Sequence, residues 1–80
     1  MTIDQLRKAH QAHPFEPFRI HLADGRQFEV RHPELLAVVP PGRTIIVVPP
    51  DGKWAVIDLL LVTSLESADG RSRRRTARRN

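Results

Sequence analysis

Six arginines crowd the last ten residues, at Arg71, Arg73, Arg74, Arg75, Arg78 and Arg79. Guanidinium groups grip phosphate bidentately and stack on bases, so this run has the chemistry of RNA or DNA contact. Binding of that kind is strongly salt-dependent and blind to sequence. A solvated, disordered end is the plainer reading of the same residues. The chain uses eleven Arg against two Lys, so a general arginine preference accounts for part of the run.

The four histidines offer less. His10 and His13 are three apart on a predicted helix, and His21 and His32 fall near one sheet face. Imidazole pairs can ligate zinc. There is no cysteine and no closely spaced histidine array, so a helix-end and strand-surface role fits better, and no metal or other cofactor is expected. Catalytic groups are sparse: the chain has no Cys and no Tyr, and Ser64, Ser67 and Ser72 come late. Asp24, Asp51 and Asp58 are accounted for by turns and a cap. A chain this small has little room for a deep pocket. The sequence reads as non-enzymatic and suggests no reaction class.

Charge divides the chain. Residues 1–70 carry seven Lys or Arg against nine Asp or Glu, a net −2, whereas residues 71–80 carry +6. The pattern is a mildly acidic domain over 1–66 with a disordered basic tail over 67–80. Eighty residues make one domain that buries too little surface for comfort, and disulfides are ruled out. The N-terminus lacks an apolar signal core, and the longest apolar run, Leu35 to Val39, is far short of the roughly 20 residues of a membrane span. A cytoplasmic protein without membrane contact is expected.

The elements that would position these groups are well punctuated. Thr2 and Gln5 have capping-box spacing, and Asp4 sits in the first turn of the helix they open. Ile3, Leu6, Ala9 and His10 share a face, and Pro14 closes the segment. Phe15 and Phe18 read as core anchors. The stretch "FRIHLADGRQFEV" predicts a β-hairpin. A two-residue Asp24-Gly25 loop would mix its faces. A three-residue Ala23-Asp24-Gly25 loop keeps Phe18, Ile20, Phe28 and Val30 together, puts Gly25 in the left-handed region and sets Arg19 opposite Glu29. Proline turns at 40–42 and 49–52 delimit strands near 35–39, 44–48 and 53–58. Asp58 can cap one helical turn over Leu59 to Leu61, before a last strand from Val62 to Leu65. The expected fold is mainly β (α+β): an N-terminal helix, then about five short antiparallel strands in a small barrel-like sheet.

The strands at 35–39 and 45–48 are apolar at every position, and such strands are usually covered on both faces. The helix covers only part, so a second copy or another partner is expected. Leu36, Val38, Ile46 and Val48 are the candidate interface residues on these strands. Trp54 is a further anchor, of core or interface.

The stretch "PFEPFRIHLADGRQFEVRHPE", with "GRT" and "IDLLLVTSLE" after it, resembles a group of short bacterial proteins that form a domain of unknown function. The likeness spans roughly residues 3–66 and implies no activity. At fold level the helix, the "LADGR" hairpin and the last strand–turn–strand look like an Sm-like or SH3-like small barrel. Sm-type proteins form RNA-binding rings, but this chain lacks a match to their RNA-contacting motifs. The functional expectation is a self-associating protein-interaction module. The alternative is a nucleic-acid binder that uses the arginine tail.

Overall fold

A computed structural model of the chain describes residues 1–68. The six tail arginines and Ser72 lie outside the described residues.

Helix α1, Ile3–His10, starts at the expected capping box: the Gln5 N–H donates to Thr2 Oγ1 at 3.3 Å, and the Thr2 N–H donates to Gln5 Oε1 at 3.1 Å. Leu6 is fully buried, with Ile3 and Ala9 packed beside it. Ile3 also lies against the turn at Gly42, where φ is +108° and a Cβ would come within 3.4 Å of its side chain.

The first sheet has the order β2-β1-β6, from Phe18–Leu22 (β1), Gln27–Val30 (β2) and Val62–Ser67 (β6). The hairpin takes the predicted register, with Phe18 opposite Val30 and Ile20 opposite Phe28. The Leu22 N–H donates to Arg26 at 2.9 Å, closing the three-residue loop, and Gly25 has φ +94°. Phe18, Ile20 and Leu22 point inward and are buried, whereas Arg19 and His21 point out. Ser67, assigned to the tail from sequence, is the last residue of β6, and the Ala68 N–H donates to Pro17.

The second sheet has the order β3-β4-β5, from Leu36–Val39, Thr44–Val47 and Ala55–Asp58. Its inner rows are Leu36–Val47–Ala55 and Val38–Ile45–Ile57. Ile45 and Val47 are fully buried. Short 3-10 turns, Pro33–Leu35 and Leu59–Leu61, carry the chain between the sheets. Asp58 caps the second as expected, its Oδ1 accepting from the Leu60 N–H at 2.9 Å.

The protein is therefore mostly β, with one N-terminal helix and six short antiparallel strands rather than about five. The strands form two separate three-stranded sheets, and among the described residues no pairing closes them into a barrel. One core, centred on Leu6, Ile20, Val30, Ile45, Val47 and Ile57, fills the space between them. Burying each such side chain contributes roughly 1.5–3 kcal/mol.

Candidate self-association surface

The outer faces of the two sheets differ in chemistry. On the first, Arg19 reaches Glu66 at 3.3 Å and Glu29 at 3.9 Å. Arg31 meets Glu29 at 2.6 Å, and His21 Nε2 lies 2.8 Å from Glu66 Oε1. The expected Arg19–Glu29 pair is part of this larger network. The hydrogen bond from His21, ahead of the contribution of Arg19, holds the Glu66 carboxyl below the usual carboxylate range. Such a face is content in water.

The second sheet presents the opposite. Its register places Ala37, Ile46 and Val56 in one row across the outer face. Ile46 is half-buried, and Val56, at the border, is 59% exposed. Trp54 sits two residues before Val56 and is 67% exposed. Leu60, in the turn after β5, is 77% exposed, and its neighbour Leu61 is also exposed. The exposed large apolar side chains among the described residues thus all fall within residues 54–61. Concentrated apolar exposure of this kind marks interaction surfaces, and tryptophan is enriched in them.

The candidate interface residues separate by face. Leu36 is in the core at 4% exposure, and Val38 packs against that core. Both belong to the inner side. Ile46 and Val48 are half-buried on the outer side, where the Val48 N–H donates to Leu35 at 2.9 Å. Trp54 is not a core anchor. Val56 and Leu60, which the sequence reading did not select, are more exposed than Ile46 or Val48. For Val56 a signal was present in "WAVID", where Val56 shares its parity with the charged Asp58, whereas Ala55 and Ile57 take the other.

Two of the histidines make polar contacts: His10 Nε2 lies 2.7 Å from the Pro33 carbonyl oxygen, and His21 joins the ion-pair network. No group of three or more His, Asp or Glu side chains suited to a metal occurs among the described residues. An open cavity of about 420 Å³ lies between the end of α1 and β6, lined by Ala9, His13, Pro14, Phe18, Leu65 and Glu66 among others. It is larger than the sequence led one to expect. Among the described residues no helix is long and apolar enough to cross a membrane.

No protein-family model and no curated protein matches the chain. Its fold is similar to the solution NMR structure of a candidate lipoprotein from Pseudomonas syringae. The TM-score is 0.51 at 21% identity, over 66% of this chain and 93% of that one. At this identity the likeness concerns the fold alone.

Proposed function

We infer that the protein is a non-enzymatic binding module that associates with its own kind through the β5 side of the second sheet. One observation carries this reading: among the described residues the exposed large apolar side chains gather within residues 54–61, at β5 and the turns that flank it, while the outer face of the other sheet carries the Arg19–Glu66 and His21–Glu66 ion pairs. A domain of this size also gains stability from the extra burial that a partner supplies. The connectivity supports kinship with Sm-like or SH3-like small barrels. A helix leads into two three-stranded sheets, and a single 3-10 turn separates the last two strands.

The second reading is nucleic-acid binding through Arg71, Arg73, Arg74, Arg75, Arg78 and Arg79, favoured by the +6 charge of residues 71–80. The two readings separate in one sedimentation experiment on the full chain, at low and high salt, with and without a mixed-sequence RNA. A mass above one chain that persists without RNA and across salt supports the module. A single-chain mass that rises only with RNA, and only at low salt, supports the alternative.

A further inference from the structure

Four strand edges border the two sheets, at β2, β6, β3 and β5. Proteins protect such edges with charge, proline or bulges. Edge β2 carries the Glu29–Arg31 ion pair and runs toward Pro33. Edge β6 bears Thr63, Ser64 and Glu66, and its register against β1 shifts at His21/Leu22. Edge β3 is bracketed by Pro33 and Pro40. Edge β5, Ala55–Asp58, is apolar up to its last residue, Asp58, and has neither proline nor a register shift.

The backbone of β5 is set out for pairing. The Leu59 N–H donates to Arg43 at 2.9 Å, which extends the β4–β5 ladder. Alternation along an antiparallel ladder then turns the backbone groups of Ala55 and Ile57 toward β4, and those of Trp54, Val56 and Asp58 away from it.

We propose that β5 pairs antiparallel with β5 of a second copy, about a two-fold axis at Val56. In this register Val56 faces its own counterpart and Trp54 faces Asp58, so each outward-facing residue of the strand gains a hydrogen-bonded pair. The side chains agree with it. The Trp54 indole N–H stands across from the Asp58 carboxylate, whose Oδ1 already accepts from Leu60 and whose Oδ2 remains to accept. Lys53 stands across from Leu59, so no like charges oppose one another. A two-fold contact uses the same patch on both subunits, and this strand is complementary to itself. Trp54 and Val56, the most exposed side chains of the outer face, meet at the seam.

The inference rests on the self-association reading, and the test separates the two. Amide hydrogen exchange on the full chain is followed as concentration rises, beside sedimentation of the wild type, Val56→Pro and Ile46→Thr. Proline at 56 removes an N–H that no intrachain ladder uses. Protection rising with concentration at Trp54, Val56 and Asp58 is expected. Association should weaken by at least about tenfold in Val56→Pro and remain close to wild type in Ile46→Thr. A wild type that associates with those amides still unprotected, or a folded Val56→Pro that associates as wild type does, overturns the edge geometry and leaves the self-association reading standing. A wild type that stays a single chain throughout overturns both.

Discussion

Ile45 and Ile46 are neighbours in β4 with opposite partners: Ile45 faces Ile57 in the core, and Ile46 faces Val56 on the outer side of the sheet. Ile45 and Ile57 are at most 2% exposed, whereas Val56 is 59% exposed. Two chemically similar pairs therefore do different work. The inner one holds the domain together and the outer one borders solvent. Urea denaturation at low protein concentration should resolve this. Ile45→Ala is expected to cost about 2–5 kcal/mol, because it opens a cavity in close-packed surroundings. Val56→Ala should change monomer stability by no more than about 0.5 kcal/mol. Equal losses at the two positions would contradict the assignment of faces.

The ion-pair network of the first sheet predicts a pH effect. Glu66 sits below its ordinary value of 4.5, chiefly through its hydrogen bond with His21. A carboxylate with a lowered folded-state pKa contributes stability above its unfolded pKa and loses it as pH falls through the folded value. The contribution of Glu66 is thus complete near neutrality and disappears in acid below 4.5. An NMR titration of its side-chain carboxyl should show a midpoint under the ordinary value. His21→Ala should move that midpoint upward; an unchanged midpoint would assign the effect elsewhere.

The capping box makes a third point of attack. Thr2 and Gln5 satisfy each other's backbone N–H groups at the start of α1. Thr2→Ala should cost about 1 kcal/mol in thermal unfolding, since one helix-end donor loses its acceptor. The buried Leu6 should stay in place, so the variant should remain folded with a lower Tm.

At the hairpin, Gly25 holds φ +94° with open space where a Cβ would stand. Gly25→Ala meets no steric neighbour, yet the backbone there disfavours any side chain. A loss of roughly 1 kcal/mol is expected in the same denaturation assay. A neutral result would show that the loop relaxes to another turn.

Much of the fold was legible because its signals are local. Thr2 and Gln5 fix the helix start, Gly25 with the alternation of Phe18, Ile20, Phe28 and Val30 fixes the hairpin register, and Asp58 fixes the last 3-10 turn. The candidate surface was only half legible. Leu35–Val39 and Ile45–Val48 showed that both faces are apolar, but a run without polar positions has no phase, so it does not say which residues point inward. That phase comes from pairing: Val38 joins Ile45 and Ile57 inside, leaving Ala37, Ile46 and Val56 outside. For the same reason the sequence left Trp54 open between core and interface. Its size fits either place; its exposure, and a parity that matches the outward Val56, set it on the outer side. The number of sheets was hidden because it depends on which strands fail to pair, and the short turns Pro33–Leu35 and Leu59–Leu61 do not announce that.

Sedimentation equilibrium of the full chain and of Val56→Asp, over the widest attainable range of concentration, bears on self-association most directly. The wild type should show a mass that climbs above the 9.1 kDa of one chain as concentration rises. Val56→Asp places a charge on the exposed apolar border and should stay at the single-chain mass with its fold intact. A wild type that remains at 9.1 kDa throughout, or a folded Val56→Asp that associates as strongly as wild type, would contradict the assignment of β5 as the contact between copies.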